Sequence, residues 1–454
     1  MSAHGRDKGR WGNRFGFILA ATGSAVGLGN IWRFPYLVGK NGGAVFLLVY
    51  LLIVFFVGLP ILLAELSVGR AARKAPVAIF RALRAHPAWS AIGWLGTITG
   101  GFLILSYYNV IGGWTIRYVI ASMGSLMDAA STAAGSAAFF GAFVGNSGHV
   151  VFYQILFMGI VMLIVSGGIE KGIERACKVM MPLLFGILLL LILRSATLPN
   201  VWAGFEFYLK PDWSRLSDPG LYLDALGQAF YSLSLGLGIM LTYGSYIGKD
   251  ERIPSAGVWT AGLDTLVAFL AGLAIVPAVF VMGFKPDAGP SLTFITLPAV
   301  FARTPAGMYV SFAFFLFLFF AAVTSAISLF EVAVAFAVER FGLRRPAAIG
   351  LMGLIVLLLG GYSALSLSGQ PKIEFFGKSK DFLDAMDYLG NDILLPSGAF
   401  LLSIFVGWVW LPQALGELTN GGTLAFVWEK AWIWSIRFIA PLAIALIFIN
   451  SLLW

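Results

Sequence analysis

The chain has 454 residues, 59% of them hydrophobic and 11% charged, with a mean hydropathy of +0.88, and these proportions exclude a soluble globular protein. The net charge of +8 is scattered over short loops and is not gathered into a basic stripe with interleaved aromatics. That excludes a nucleic-acid surface and leaves positive-inside membrane topology as the explanation.

Apolar runs of about 20 residues, the length that crosses a bilayer, recur along the whole sequence. A single membrane domain over residues 1–454 is therefore expected. The single cysteine, Cys177, precludes an internal disulfide, and the three histidines, at 4, 86 and 149, form no metal or nucleophile constellation. No Asn-x-Ser/Thr acceptor occurs, and the first apolar segment is read as a retained span, so a prokaryotic cytoplasmic membrane is expected.

Arg6, Lys8, Arg10 and Arg14 precede span one, about residues 15–38, and place the N-terminus in the cytoplasm. Within that span Gly23, Gly27 and Gly29 each cost about 0.8–1 kcal/mol relative to alanine in a helix interior. Asn30, Arg33 and Pro35 follow at once, so the helix is expected to break there. In hydrocarbon, an unwound turn persists only where its freed carbonyls and amides face protein or a water-filled cavity. Half-helix ends of opposite partial charge make such a turn a site for a cation and a carboxylate.

Span two, about residues 44–68, ends at Arg70, Arg73 and Lys74, with Arg81 and Arg84 beyond, and that loop is placed inside. Spans three (92–120) and four (150–165) are joined by a Gly/Ala/Ser-rich segment with Asp128 and no lysine or arginine, placed outside. Glu170, Lys171, Glu174, Arg175 and Lys178 lead into span five, which ends near residue 193. Residues 249–252 separate span six (223–246) from span seven (258–282), and both of these loops return inside. Span eight (308–338) runs into Glu339, Arg340, Arg344 and Arg345 before span nine (347–365). A polar loop at 369–381, span ten (383–410) and span eleven (433–453) complete the chain, with the C-terminus outside. On this count about twice as many lysines and arginines lie inside as outside.

Span six is interrupted by Ser232-Leu233-Ser234-Leu235-Gly236-Leu237-Gly238, five spans after the break in span one. An odd offset inverts the second repeat, and the two breaks are expected to meet at the midplane. The repeats run over about 11–200 and 220–411, with an extra helix at about 431–454.

Residues 25–35, Asn41-Gly42-Gly43, 58–70 with Glu65, Tyr107-Tyr108, Lys171-Gly172-Ile173-Glu174-Arg175, 228–238, Thr324-Ser325 and 384–387 together resemble the neurotransmitter:sodium symporter family, in particular its bacterial leucine-transporter type. The resemblance covers nearly the whole chain. It implies an all-α polytopic membrane protein of eleven transmembrane helices, with inverted five-helix repeats and broken helices one and six, the leucine-transporter fold. It implies two sodium ions, an amino-acid substrate and the lipid bilayer as partners, and no enzymatic activity; no obligate protein partner is inferred.

Carried over by residue, the first sodium would be held by Ala25, Asn30, Ser232 and Asp264 with the substrate carboxylate, and the second by Gly23, Val26, Ala321, Thr324 and Ser325. Substrate would contact Ala25, Gly29, Ile104, Tyr108, Tyr231, Ser232, Ser234, Leu237, Ser325 and Leu329. Arg33 with Asp387 would close an outer gate, and Lys8, Trp11, Tyr246 and Glu339 an inner one. Sodium is a hard cation, and these positions offer it carbonyl, hydroxyl, amide and carboxylate oxygens with no sulfur or imidazole.

Other glycines and hydroxyls have plainer expectations. Gly112-Gly113 and Gly167-Gly168 serve close helix packing, Ser311 and Ser328 bond the carbonyl of the preceding turn, and Arg117 snorkels to the outer interface. The chain departs from leucine-type transporters at Asp264 (asparagine there), Ala268 (glutamate), Tyr231 and Leu237 (phenylalanines) and Glu331 (glutamine). Gly27 stands where amine-transporting relatives carry aspartate, so a substrate with its own carboxylate is expected. Ile104, Tyr108, Tyr231, Leu237 and Leu329 suit a hydrophobic or aromatic L-amino acid, because a charged side chain would be left unpaired among them. Asp264 in an apolar span must be ion-paired or protonated, and it is expected to make transport chloride-independent and to return a proton with the empty carrier. A proton-coupled permease of the same fold and a non-transporting amino-acid sensor are the alternatives.

Overall fold

The computed structural model describes residues 9–283, 292–368, 373–375 and 378–453. Nine helices among them are long and apolar enough to cross a membrane: Ala44–Ala72, Pro87–Ala121, Ser147–Ser166, Ile169–Ala196, Ile253–Val281, Gly307–Phe341, Arg345–Ser366, Phe382–Val409 and Glu429–Ile449. They are spans two to five and seven to eleven. Arg14–Ala25 and Gly29–Lys40, bent by 59°, form span one. Pro219–Ser232 and Ile239–Gly244 form span six, and together these segments fit the eleven expected.

Both breaks follow from local chemistry. Asn13 caps the first half of span one by accepting from the Gly16 amide at 2.8 Å, and the helix ends where Val26 turns extended at φ −70°, ψ 100°. The chain resumes as a π-helical turn, Gly29–Arg33, that continues into the helix Phe34–Lys40, and Pro35 sits within this piece, where its missing N–H leaves one helical bond unmade. Asp218 caps span six. The chain then leaves the helix through Ser234, Gly236 and Gly238, all left-handed at φ 54°, 75° and 73°. An L side chain is strained in that region, and glycine supplies two of the three positions.

Span three is cut to receive the second break. A Cβ at Gly96 would lie 2.8 Å from the Gly238 nitrogen, and one at Gly100 would overlap the Leu237 carbonyl. Gly112 and Gly113 do the expected packing work, against Phe157 and the Tyr153–Gln154 backbone of span four. Spans four and eight pack along span three.

The connections hold more structure than their composition suggests. The Gly/Ala/Ser-rich segment forms helices Ser125–Ala129 and Ala133–Val144, the second capped by Thr132 accepting from Gly135 at 3.0 Å. Phe139 and Phe140 on that helix pack on Tyr118 and Trp114 at 5.7 and 5.3 Å, so apolar anchoring outweighs a composition that reads as loop. Arg117 reaches this helix, its guanidinium 5.1 Å from the Phe139 ring centroid. Leu292–Thr296 and Leu297–Ala302 fold as helix between spans seven and eight. Ile373–Phe375 and Lys378–Lys380 pair as a short antiparallel ribbon with Glu374 opposite Ser379. Ser328 bonds the Ser325 carbonyl at 2.7 Å as expected, whereas Ser311 pairs with the Ser122 hydroxyl at 3.1 Å.

Candidate functional site

The two breaks face span seven around Asp264, which is fully buried. Asn30 Nδ2 donates to Asp264 Oδ1 at 2.8 Å and to Ser232 Oγ at 3.0 Å, and Ser232 Oγ donates to Asp264 Oδ2 at 2.7 Å. The Gly27 amide donates to Asn30 Oδ1 at 3.2 Å, and Gln228 Nε2 donates to the Gly29 carbonyl at 3.3 Å. Spans one, six and seven thus meet in one polar knot. Among the described residues no lysine, arginine or histidine lies within ion-pair distance of Asp264. A buried carboxylate with dipolar partners alone carries an uncompensated charge, and its donor set of hard oxygens suits a small hard cation.

A second knot joins span one to span eight. Ser325 Oγ donates to the Ser24 and Val26 carbonyls, each at 3.2 Å, and Thr324 Oγ1 donates to the Phe320 and Ala321 carbonyls at 3.0 and 3.1 Å. Gly23 permits this approach, since a Cβ there would lie 3.2 Å from Thr324 Cβ. Of the expected group, the Val26 carbonyl with the Ser325 hydroxyl, the Ala321 carbonyl with the Thr324 hydroxyl, and Gly23 packed on Thr324 make up this knot. The Ser234 hydroxyl joins it from span six, donating to the Ser24 carbonyl at 3.2 Å.

Between the knots lies a small cavity of about 30 Å³. Ala25, Ile104, Tyr108, Tyr231, Ser234, Leu237, Ser325 and Leu329 line it, as do Ser24, Gly27, Leu28, Asn30 and Ile239. Gly29 and Ser232, also expected at substrate, sit elsewhere: Gly29 packs against the Tyr231 ring, and Ser232 belongs to the Asp264 knot. A Cβ at Gly27 would lie 2.9 Å from Ser325 Oγ and 3.2 Å from the Tyr108 hydroxyl, so the space an acidic side chain would need is filled. Ser24, Leu28 and Ile239 were not singled out from sequence. Ser24 alone carried a signal, as the hydroxyl between two residues of the first break.

The outer ion pair is not made. The Arg33 guanidinium stands 5.9 Å from the Tyr231 ring centroid, while Asp387 accepts from Asn391 Nδ2 at 2.7 Å, and Asn391 Nδ2 also reaches the Tyr107 hydroxyl at 2.9 Å. Each partner is engaged elsewhere, Arg33 over the Tyr231 ring and Asp387 on Asn391, which corrects the expectation of an Arg33–Asp387 contact in this conformation. At the other end Trp11 Nε1 donates to the Tyr243 carbonyl at 3.1 Å, and the indole packs on Tyr243 and Tyr246. The Tyr246 hydroxyl donates to Glu331 Oε1 at 2.8 Å, and Arg345 binds both oxygens of the buried Glu331. Glu339 pairs with Lys74 at 2.8 Å. Lys8 lies outside the described residues. Glu331 was noted from sequence only as a departure; its pairing with Arg345 depends on the packing of spans eight and nine.

Two broken helices meeting beside a cavity, with hydrogen-bonded oxygen groups on either side, define a secondary transporter of the leucine-transporter fold. The family model described as the sodium:neurotransmitter symporter family matches residues 8–134 and 139–454, and the chain belongs to that family. It is 39% identical over 443 residues to an uncharacterised sodium-dependent transporter, YhdH, of Bacillus subtilis, covering 97% of each chain. It is 26% identical to the sodium-dependent serotonin transporter of Drosophila melanogaster, over 100% of this chain and 78% of that one. A crystal structure of MhsT in complex with L-phenylalanine superposes with a TM-score of 0.88 at 45% identity, covering 98% of this chain and 100% of that chain. The protein is thus a multi-pass membrane transporter of a sodium-dependent family.

Proposed function

We propose that the chain is a sodium-coupled symporter of hydrophobic and aromatic L-amino acids, working by alternating access and without chloride. The cavity carries this reading: it is walled by aliphatic and aromatic side chains, has no acidic side chain of its own at Gly27, and adjoins the buried, unpaired Asp264. MhsT, 45% identical, holds L-phenylalanine, which supports the same substrate class here.

In this reading the substrate carboxylate meets the Tyr108 hydroxyl, which lies beside Ser325 and the Leu28 backbone, and the end of the broken span one. The substrate side chain lies against Ile104, Tyr231, Leu237 and Leu329. Ala25, Asn30, Ser232 and Asp264 take one sodium and the Thr324–Ser325 cluster another, both as cargo. Asp264 supplies fixed negative charge that balances the cations, so no chloride is needed. The repeats at about 11–200 and 220–411, with the extra helix beyond, rock to expose the site to one side at a time. The membrane is the prokaryotic cytoplasmic one, with the N-terminus inside and the C-terminus outside.

A substrate panel tests the class. In proteoliposomes with an imposed sodium gradient, labelled phenylalanine, tyrosine, tryptophan and leucine are expected to accumulate, and lysine, aspartate and dopamine are not. Accumulation of the amine, or of charged amino acids in preference, would contradict the reading of the cavity. Thr324→Ala tests the second cluster. Removing one hydroxyl ligand, worth about 1 kcal/mol, should raise the sodium concentration for half-maximal substrate binding roughly fivefold. An unchanged sodium titration would remove Thr324 from the ion site.

A further inference from the structure

We propose that the groove at the C-terminal ends of spans two and eight binds the headgroup of an anionic phospholipid. The Lys74–Glu339 ion pair draws these ends together. Beside it opens a cavity of about 430 Å³ lined by Lys74, Val77, Arg81, Trp94, Glu339 and Arg340, among others. Three cations thus face one carboxylate, and that carboxylate already holds Lys74 at 2.8 Å. Arg81 and Arg340 are exposed, and among the described residues no carboxylate lies within ion-pair distance of either. The groove therefore carries net positive charge with donors to spare. Neither the substrate cavity nor the oxygen clusters use these arginines.

The apolar surroundings select a lipid over a soluble anion. Trp94 is 40% exposed, Ile98 one turn along span three is 42% exposed, and Phe341 at the end of span eight is 57% exposed. Trp94 meets Phe336 edge-on at 5.6 Å, and Phe336 meets Phe341 at 5.5 Å, so an aromatic wall starts where the basic groove ends. A tryptophan with one face apolar and a polar edge suits the headgroup level of a bilayer. A phosphate diester would sit between Arg81 and Arg340 while its acyl chains lie on the wall toward Ile98. Free phosphate could use only the charged half. Lys74 belongs both to the groove and to the Glu339 pair, so a bound headgroup competes with Glu339 for it.

Brominated lipids read this contact through Trp94. The full chain is reconstituted in phosphatidylcholine vesicles, part of whose lipid is replaced by dibrominated phosphatidylglycerol or dibrominated phosphatidylcholine. Because the chain has 14 tryptophans, the Trp94 share of fluorescence is taken as the difference from Trp94→Phe. The phosphatidylglycerol quencher is expected to act on that share at mole fractions where the phosphatidylcholine quencher does not. Two cations removed by Arg81→Gln with Arg340→Gln should weaken the preference roughly thirtyfold, at the strength one basic residue contributes beside an anionic leaflet. The double lysine variant should keep it, and excess inorganic phosphate should leave the quenching unchanged. Equal quenching by the two lipids in the unaltered chain overturns the proposal without recourse to any variant, and relief of quenching by phosphate would assign the groove to a soluble anion instead.

Discussion

Asparagine in place of Asp264 is expected to lower sodium-driven uptake in chloride-free medium by about a hundredfold, with chloride restoring part of it. The carboxylate is fully buried and held by Asn30 and Ser232, at 2.8 and 2.7 Å, with no basic partner among the described residues. In the proposed mechanism it is the fixed negative charge for bound cations. Charge left uncompensated near the middle of a bilayer costs about 2.5–3.5 kcal/mol even on insertion scales, which corresponds to roughly a hundredfold in an equilibrium. The amide matches the protonated carboxyl of the sodium-free state in shape and charge, so the sodium-free variant should be about as resistant to heat as the parent. Exchange of a proton through this carboxylate also predicts that the variant loses the dependence of uptake on internal pH. Parent protein that already needs chloride, or a variant indifferent to both chloride and internal pH, would sink this role for Asp264.

Gly236→Ala should destabilise the protein by about 2–5 kcal/mol and abolish uptake. Residue 236 has φ 75°, a region that costs an L residue roughly 1–2 kcal/mol. Its added Cβ would also overlap the Leu395 carbonyl of span ten, a backbone atom that cannot turn aside, and overpacking of that kind costs about 1–3 kcal/mol. The Gly236 amide donates at 2.6 Å to Glu65, a residue only 1% exposed, so any shift that relieves the overlap strains a buried hydrogen bond as well. The measurement is the half-life of folded, monodisperse protein at elevated temperature, since unfolding of such proteins is commonly irreversible. Gly350→Ala is the control, because its Cβ meets nothing within 4 Å and alanine favours the helix. Equal half-lives for the two variants would show that span six does not depend on glycine at its break.

Glycine and proline spacing made the broken helices legible, because an unwound turn in a membrane needs residues whose cost is intrinsic and local. Gly23 and Asn30 were legible for the same reason, as helix-weakening and polar residues where lipid tolerates few, whereas Thr324 stands out only through the resemblance to the family. Long-range complements were not. Gly96 and Gly100 read as ordinary small residues until the second break is seen resting on them. Glu331 reads as a substitution until Arg345 reaches it from span nine. The helix Ala133–Val144 was hidden by a composition that suits a loop, its anchors being three phenylalanines whose partners lie on span three and elsewhere in the bundle. The Arg33–Asp387 contact depends on conformation, which a list of residues does not encode: both side chains are present, Arg33 over Tyr231 and Asp387 on Asn391.

Sodium dependence of substrate binding is the most direct test of the whole account. Purified protein is titrated with labelled L-phenylalanine in sodium buffer and again in potassium buffer of equal ionic strength. The account predicts saturable binding in sodium and a loss of at least about tenfold in affinity in potassium, since without sodium the oxygen clusters have no cation to share with the substrate carboxylate. Equal affinity in the two buffers would contradict it.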